Sequence, residues 1–252
     1  MAALRLPVSG LTVEFRSPTG ADDVLLAEAP AGDWPLALQL LERLVVSDSE
    51  VDFGALTVSD GDALLLLLRR AQGLDWLRAS VMCPDCGEPM EVAFSAGDYL
   101  AHNEPQTTES VVALNEPGWF GLDGTDVSFR LPRVRDLLEL SGWEDSRAEL
   151  VRRCVRPARV SARRLRLVEE AMEALAPSLS RELEVRCPEC RHELNVELDV
   201  QLYCTAELRL VARSVFEDVH AIAASFHWPE REILALPRER RLRYAELVRS
   251  AA

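Results

Sequence analysis

Lysine is absent from this chain of 252 residues, so all 28 basic residues are arginines. They stand against 42 acidic residues, which gives a formal net charge of −14 at pH 7. A surface with this excess of negative charge repels the phosphates of nucleic acids and the anionic faces of membranes. The composition therefore disfavours nucleic acid and membrane as binding partners.

Long apolar segments are absent as well. The longest apolar run, Ala63 to Leu68, is closed by Arg69 and is far shorter than the roughly 20 residues that a transmembrane helix needs. The first ten residues contain Arg5 and Pro7 but lack the apolar core of a signal peptide. We expect a soluble, cytoplasmic protein with no membrane-embedded part.

Cysteine is scarce, and the usual signatures of catalysis are missing. Six cysteines in 252 residues are too few for a disulfide scaffold, and a reducing compartment would keep them as thiols or metal ligands. The sequence contains no glycine-rich phosphate loop, no nucleophile elbow and no histidine–carboxylate metal motif. We therefore expect that the protein is not an enzyme.

Residues 1–52 are predicted to contain one strand and one helix. Hydrophobic residues alternate from Leu11 to Phe15, which is the period of a strand, and a Pro-Thr-Gly turn is expected to follow. The helix begins after Asp33, a favourable N-cap residue. Pro35 lies in its first turn, where a missing N–H has no consequence.

The order helix, strand, cysteine pair, strand then occurs twice. The first copy spans roughly residues 56–100, and its helix is capped at Thr57 or Ser59. This helix is apolar almost all round, which predicts burial on several sides. The second copy spans roughly residues 129–203, and residues 95–128 are predicted to be a connector.

The tail, residues 205–252, is predicted to be almost entirely helical. Its apolar residues recur three or four positions apart, which predicts one continuous stripe on a helix. The stripe consists of Cys204, Leu208, Val211, Val215, Val219, Ile222 and Phe226. The chain is thus predicted to be a helix-rich α+β protein with segments 1–52, 53–204 and 205–252. Two short β-hairpins form a split, zinc-ribbon-like subdomain with four cysteines, and a helical segment ends the chain.

Two similar stretches, "VMCPDCGEPMEV" and "VRCPECRHELNV", each contain a Cys-Pro-x-Cys turn between two predicted strands. Such a turn presents two thiolates on one side. Two turns that face each other complete the tetrahedral four-thiolate site that structural zinc prefers. The sequence therefore predicts that one Zn²⁺ is bound by Cys83, Cys86, Cys187 and Cys190.

Four thiolates leave no open coordination position for water, so this site is predicted to be structural. Three other interpretations stay open: a thiol–disulfide active site, two separate disulfides, and idle thiols. The redox interpretation needs a helix that starts at the cysteine pair, whereas Gly87-Glu88-Pro89 leads into a strand. His192 is an alternative metal ligand, and Cys154 and Cys204 are predicted to be buried thiols on helices.

Five further segments and the tail carry a resemblance to a known family. The segments are "VEFRSPTGADDVLLAE", "LTVSDGDALLLLLRR", "CPDCGEPMEVAF", "FRLPRVRDLL" and "CPECRHELNVELD". In the tail, the pattern E-x-V-H-x-[IL]-A runs into [FY]-x-W-x-E-x-E-I-L-x-L. It falls on Glu217, Val219, His220, Ile222, Ala223, Phe226, Trp228, Glu230, Glu232, Ile233, Leu234 and Leu236. Over nearly its whole length the chain resembles the T-even-type baseplate hub assembly chaperones, encoded with contractile phage tails and phage-derived contractile injection systems.

The resemblance implies a non-enzymatic role in assembling the hub or wedge region of a baseplate. The implied partner is a hub, spike or wedge protein of the same gene cluster. The tail is then the expected partner-binding element, through Val219, His220, Phe226, Trp228, Ile233 and Leu234. An alternative is a zinc-ribbon regulator that binds nucleic acid, because arginines cluster at residues 147–166 and 238–249, although acidic residues interleave both clusters. A thiol oxidoreductase ranks third.

Overall fold

The computed structural model describes residues 4–47, 50–140 and 146–251. The chain is divided into two compact units. Unit 1 consists of Met1–Leu4, Val13–Val51 and Gln201–Ala252, and unit 2 consists of Arg5–Thr12 and Asp52–Val200. Unit 1 thus contains most of the first segment and all of the last segment of the sequence-based division.

Helices and short antiparallel strands together confirm the α+β class. The helices are α1 (Gly20–Glu28), α2 (Trp34–Leu44), α3 (Val58–Ala71), α4 (Ala96–His102), α5 (Val134–Leu140), α6 (Ser146–Cys154), α7 (Ala162–Leu175), α8 (Val200–Ala212), α9 (Val215–Phe226), α10 (Glu230–Leu234) and α11 (Arg238–Ala251). The strands are β1 (Leu4–Arg5), β2 (Thr12–Phe15), β3 (Val45–Val46), β4 (Trp76–Met82), β5 (Pro89–Ser95), β6 (Val111–Ala113), β7 (Trp119–Leu122), β8 (Ser128–Arg130), β9 (Val155–Arg156), β10 (Arg181–Arg186) and β11 (Glu193–Leu198). Within the described residues, no helix combines the length and apolarity that crossing a bilayer requires.

In unit 1, β2 pairs antiparallel with β3, and α1 and α2 lie between them in sequence. The start of α2 is as predicted, because the Asp33 side chain accepts a hydrogen bond from the N–H of Leu36 and Pro35 lies in the first turn. The sequence did not predict α1. Thr19 and Asp22 form a capping box there, so the Pro-Thr-Gly segment begins a helix rather than only a turn.

The apolar stripe that was predicted to be continuous lies on two helices of the tail, α8 and α9. The chain turns at Arg213 and Ser214, between α8 and α9. Ser214 followed by Glu217 is the sequence pattern of a helix start, and the Ser214 hydroxyl lies 3.5 Å from the Asp218 carboxylate. The stripe still packs inward at Cys204, Leu208, Val215 and Ile222, which are fully buried.

A buried ion cluster joins α1, α9 and α11 in unit 1. The carboxylate of Asp23 contacts the guanidinium groups of Arg238 and Arg241. Asp218 contacts Arg241 at 3.2 Å and Arg249 at 2.6 Å. The side chains of Asp23, Asp218 and Arg241 have no solvent exposure. Opposite charges thus compensate each other in the core, and loss of one would leave another unpaired.

In unit 2, α3 begins as predicted. The Thr57 hydroxyl accepts a hydrogen bond from the N–H of Asp60, and Gly73, with φ of +82°, follows the end of the helix. Residues from Ser59 to Arg69 are buried, in agreement with the apolar character of all faces of the helix.

A four-stranded antiparallel sheet with the order β6-β7-β8-β9 forms a second part of unit 2. Phe129 and Val155 of this sheet pack against Val168 and Ala171 of α7. Residues 95–128, predicted to be a connector, contribute α4, β6 and β7. The sequence did not identify β7, because the alternation at Trp119 and Gly121 is too short to predict a strand.

The same strand-to-helix junction occurs in each unit. After β2, the guanidinium of Arg16 donates two hydrogen bonds of 2.7 and 2.9 Å to the carboxylate of Asp22. At the end of β8, Arg130 donates two hydrogen bonds of 2.7 and 2.8 Å to Asp136. In both cases the carboxylate also accepts the backbone N–H three residues before it, at 2.8 Å. The junction has the shared sequence pattern F-R-x-P-x-x-x-D.

Candidate metal centre

Each predicted cysteine pair lies in the turn of an antiparallel hairpin in unit 2. The first hairpin pairs β4 with β5, in register from Trp76↔Ser95 to Met82↔Pro89. The second pairs β10 with β11 over their whole lengths. Both predicted hairpins are therefore present. In each of them the two cysteines lie at the turn, which is the opposite end from the one where the hairpin joins its neighbouring helices.

The two turns have the same backbone geometry. The N–H of Gly87 donates to the carbonyl of Cys83, and the N–H of Arg191 donates to the carbonyl of Cys187, both at 3.0 Å. Gly87 has φ of +74° and Arg191 has φ of +64°. Arg191 thus adopts a left-handed conformation that glycine accepts more readily.

The four predicted cysteines lie together, with their sulfur atoms within 4.8 Å of one another. The Sγ atoms of Cys83 and Cys190 are 3.6 Å apart, and those of Cys86 and Cys187 are 3.8 Å apart. Two thiolates bound at about 2.3 Å to one tetrahedral metal ion lie about 3.8 Å apart. The donor set and its spacing therefore fit one metal ion.

The electrostatics of the cluster also fit a cation. Backbone N–H groups of Cys86 and Asp85 point at the sulfur of Cys83 and lower the pKa of its thiol to about 6. At Cys190 a backbone N–H from His192 also favours the thiolate, but partial desolvation and the neighbouring thiols outweigh it and raise the pKa to about 12. Four thiolates at this spacing repel one another, and a divalent cation between them removes that repulsion.

The inner faces of the two hairpins form a small apolar core behind the cysteines. Cys83 and Cys187 are buried in it together with Met90. The partly buried residues Val81, Val92, Val185 and Leu194 pack around them. Cys86 and Cys190 are exposed, so the apolar layer shields the cluster from one side only.

A buried arginine fixes the entry to the first hairpin, and sequence reasoning missed it. Arg69, the last fully buried residue of α3, donates hydrogen bonds to the carbonyl of Leu74 and, at 2.7 Å, to that of Trp76. Leu74 lies in the short connection from α3 to β4, and Trp76 is the first residue of β4. An arginine directly after a leucine run was the available signal, but the run indicated only the end of an apolar segment.

The alternative interpretations of the cysteines fare differently. Both turns run into strands, not into the helix N-terminus that lowers the pKa of a thioredoxin-like thiol. All six cysteines are free, and the sulfur distances in the cluster far exceed the roughly 2.05 Å of a disulfide. His192 is exposed and contributes its backbone carbonyl to the turn. Cys154 and Cys204 are buried elsewhere, as predicted.

The residues predicted to bind a partner are distributed over the surface and the interior of unit 1. His220 is exposed, and Phe226 is 41% exposed. Val219, Trp228 and Leu234 are half-buried. Ile233 has no exposed surface and belongs to the apolar cluster with Ile222 and Ala245, so it supports the surface from below.

Three aromatic rings of the tail contact one another at the surface of unit 1. The ring centroids of Phe226 and Trp228 are 5.5 Å apart, and Tyr244 of α11 lies 5.9 Å from Phe226 and 5.1 Å from Trp228. The guanidinium of Arg240 lies over the Tyr244 ring at 5.7 Å. Tyr244 was not among the predicted residues, because only the fold brings α11 against the end of α9. Phe226, Trp228 and Tyr244 are called the ring cluster below.

Comparison with known proteins gives one match. The family described as "T4 bacteriophage base plate protein" matches residues 2–202. The matched region includes both cysteine pairs and ends at the start of α8, before the ring cluster. No curated protein and no solved structure matches the chain.

Proposed function

The chain belongs to the family of T4 bacteriophage base plate proteins, and we propose that it is a non-enzymatic assembly chaperone or adaptor. It would act in the cytoplasm on the baseplate hub of a contractile phage tail-like injection system. The observation that carries this proposal is the family match over most of the chain. A closed four-thiolate cluster supports the non-enzymatic part, since it offers no coordination position to a substrate.

We further propose that the ion held by Cys83, Cys86, Cys187 and Cys190 is zinc and that its role is structural. A mononuclear site with four thiolates in a tetrahedron suits Zn²⁺, which prefers soft ligands and this geometry. The ion would join the two hairpins and would contribute its binding free energy to the stability of unit 2. The ion would have no chemical role beyond joining the two hairpins.

The ring cluster is the surface that we assign to the partner. Aromatic side chains with exposed edges are the residue type that most often anchors protein–protein interfaces. Phe226 keeps 41% of its surface exposed although its neighbours Trp228 and Tyr244 could cover it. Ile233 and Ala245 lie fully buried beneath the rings, which gives the surface a rigid base.

The charge distribution supports a protein partner over nucleic acid. Arginines of the two clusters face carboxylates: Arg152 and Arg153 contact Glu149, and Arg241 and Arg249 contact Asp218. Such pairs neutralise the positive charge that a phosphate backbone would require. A gel-shift assay at physiological salt should therefore show no tight, sequence-dependent binding.

Co-expression with each baseplate component of the same gene cluster tests the proposal. The tagged chain should retain one hub, spike or wedge protein after affinity purification, and size-exclusion chromatography should give a defined complex. Phe226→Ala should weaken that complex about tenfold or more, in the range of an interface hot spot. The matched control is Phe216→Ala, because Phe216 is 46% exposed on the same helix but has no contact with the rings.

Two results would count against this function. Empty purifications with every baseplate component would remove the chaperone or adaptor role. Equal retention by the Phe226→Ala and Phe216→Ala variants would remove the ring cluster from the interface while leaving the role itself intact.

A further inference from the structure

A cavity of about 590 Å³ lies in unit 2, and its lining includes no residue of the cysteine cluster. Its walls are one face of α3, one face of α4 and the loop at residues 5–10. The volume falls within the range of about 300–1,000 Å³ that is usual for ligand-binding cavities. Neither the metal site nor the partner surface of the tail explains it.

Alanine and leucine side chains of α3 and α4 form the apolar part of the cavity. Ala63 and Leu67 of α3 are buried, and Leu100 and Ala101 project from α4 opposite them. Ala63 and Leu67 are four positions apart, and on α4 Gly97 is three positions from Leu100 and four from Ala101, so the lining residues of each helix share a face. The small side chains leave room for one or two apolar side chains of a bound molecule.

Two guanidinium groups stand at the rim of this apolar floor. Within the part of the chain that the structure describes, the side chain of Arg5 forms no ion pair or hydrogen bond. Arg70 uses its Nε atom for Asp75, at 3.0 Å, and its two terminal nitrogens lie over α4 at Gly97, where a Cβ would be 3.3 Å from each. These nitrogens are thus left for an anion, in the fork geometry that a carboxylate matches.

The loop that forms the third wall is held rigidly. The N–H groups of Val8 and Ser9 donate hydrogen bonds of 2.9 and 2.8 Å to the two oxygens of Asp60. Asp60 itself is fully buried at the start of α3. The cavity is therefore preformed, and little conformational entropy would be lost when a ligand enters.

We propose that this cavity binds the C-terminal residue of a partner chain, with its apolar side chain on the floor and its carboxylate on Arg70 and Arg5. A terminal residue carries a carboxylate and a side chain on the same Cα atom. The cavity offers a matching pair of groups. The guanidinium of Arg70 and the side chain of Leu67 are three residues apart on the same face of α3. An internal acidic residue separates its carboxylate from the nearest apolar side chain by several more bonds.

Glu104 also lines the cavity and is exposed. Its carboxylate opposes an anionic ligand, and Asp75 already pairs with Nε of Arg70, so the attraction comes from the remaining guanidinium nitrogens and not from an excess of positive charge. Substitutions of opposite charge should therefore change the affinity in opposite directions. Loss of an arginine should weaken binding, whereas loss of the Glu104 charge should strengthen it. The proposal extends the adaptor role by a second contact with the partner and rests on that role for its biological meaning.

Fluorescence polarisation with the full, metal-loaded chain tests the site without any baseplate protein. The probes are fluorescein-labelled pentapeptides that end in Leu or Phe, with a free carboxylate or as the amide, and an amidated peptide that ends in Leu-Glu. The free carboxylate should bind at least about tenfold more tightly than the amide, because a charge-assisted contact is lost. Arg70→Gln and Arg5→Gln should each weaken binding severalfold, and Glu104→Gln should strengthen it.

The control variant is Arg78→Gln, whose residue lies in the first hairpin near Glu91 and outside the cavity. Ala101→Trp fills the cavity without a change of charge and should abolish binding, while circular dichroism and zinc content report whether each variant folds. Equal affinity for carboxylate and amide, or no binding up to about 1 mM of peptide, overturns the proposal. Equal affinity for the Leu-Glu amide overturns the assignment to a chain terminus. None of these outcomes alters the pull-down result at the ring cluster.

Discussion

Arg191 and Gly87 occupy equivalent positions in the two cysteine turns, and both have a positive φ. A left-handed conformation disfavours a residue with a Cβ by about 1–2 kcal/mol. A Cβ at Gly87 would meet no other atom within 4 Å, so conformation rather than steric contact decides the effect. The strain at Arg191 is thus a property of its backbone.

We expect Arg191→Gly to raise the free energy of unfolding of the metal-bound protein by about 0.5–1 kcal/mol, after the larger entropy of the unfolded glycine chain is subtracted. Gly87→Ala should lower it by about 1 kcal/mol. Urea denaturation in the presence of zinc measures both. Arg191→Ala is the matched control, since it removes the charge but keeps the strain. An equal gain from Arg191→Ala would show that charge, not backbone conformation, is responsible.

Asp62 is the buried carboxyl whose environment changes its protonation most clearly. Burial raises the pKa of Asp62 to about 7, although the Ser180 hydroxyl donates a hydrogen bond of 2.8 Å to Oδ2. The second oxygen, Oδ1, has no hydrogen-bond partner among the described residues. Since the unfolded carboxyl titrates near pH 4, the folded state holds the proton between about pH 4 and pH 7. Stability therefore falls as pH rises through this window.

Asp62→Asn should remove that dependence. We expect the variant to gain on the wild type by up to about 1.4 kcal/mol per pH unit from pH 5 to pH 7, and the difference to level off above pH 7. Denaturation of both proteins at matched pH values measures the difference. Asp126→Asn, at an exposed surface position, should leave the profile unchanged. A constant difference between wild type and Asp62→Asn at all pH values would contradict the prediction.

At the scale of elements, the junction between β8 and α5 depends on one largely buried ion pair. The side chains of Arg130 and Asp136 are 13% and 6% exposed. Burial alone would raise the pKa of Asp136, but hydrogen bonds from Arg130 and from the N–H of Arg133 lower it below its ordinary value. A carboxylate with a lowered pKa stabilises the fold above the unfolded pKa, near 4, and this contribution is lost as pH falls through the folded pKa.

Asp136→Asn should lower the free energy of unfolding by about 3 kcal/mol at pH 7, because Arg130 is left without its partner. The loss should shrink as pH falls below about 4, because the unfolded carboxyl takes up a proton there while the folded one stays ionised down to its lowered pKa. The control is Asp126→Asn: Asp126 pairs with Arg164 at 2.8 Å on the exposed surface, where a pair contributes less than about 1 kcal/mol. Similar losses in both variants would mean that burial does not distinguish the two pairs.

Local sequence signals predicted those elements that local hydrogen bonds define. Thr57 and Asp33 cap their helices as expected, and the four cysteines meet as their repeated turns indicated. The sequence did not predict α1, because Pro18 and Gly20 suggested a turn and hid the capping residue Thr19. Periodicity also could not find the break at Ser214, since the apolar stripe continues across it. Arg16–Asp22 and Arg130–Asp136 share a sequence pattern, but a single copy of that pattern does not identify a junction.

Local sequence signals could not predict contacts between residues that are far apart in the sequence. Nothing near Asp23 in the sequence indicates that Arg238 and Arg241 will neutralise it, because that contact exists only once the first and last segments form unit 1. The same holds for Tyr244 in the ring cluster. The meeting of the four cysteines could be predicted from their spacing, because the two turns that contain them are near copies of each other. The ion cluster and the ring cluster could not be predicted in this way, because their residues are not part of a repeat.

At the scale of the whole molecule, both hairpins and all four metal ligands belong to unit 2. A metal ion bound by these cysteines would join turns that are far apart in the sequence and would close a longer loop than a local site does. The apolar layer between the hairpins is small, and two-stranded hairpins are marginal by themselves. Metal binding is therefore expected to supply most of the free energy that holds the hairpins together.

We expect one zinc per chain by elemental analysis, and its removal with a strong chelator should destabilise unit 2 by several kcal/mol. Hydrogen exchange should then lose protection in β4, β5, β10 and β11, while α9 and α11 of unit 1 keep theirs through the buried ion cluster. Cys83→Ser and Cys187→Ser should reproduce both effects, and Cys154→Ala should retain one zinc because Cys154 lies in a separate core. Zinc content that survives Cys83→Ser, or hairpins that stay protected after chelation, would show that protein contacts alone are sufficient to hold the two turns together.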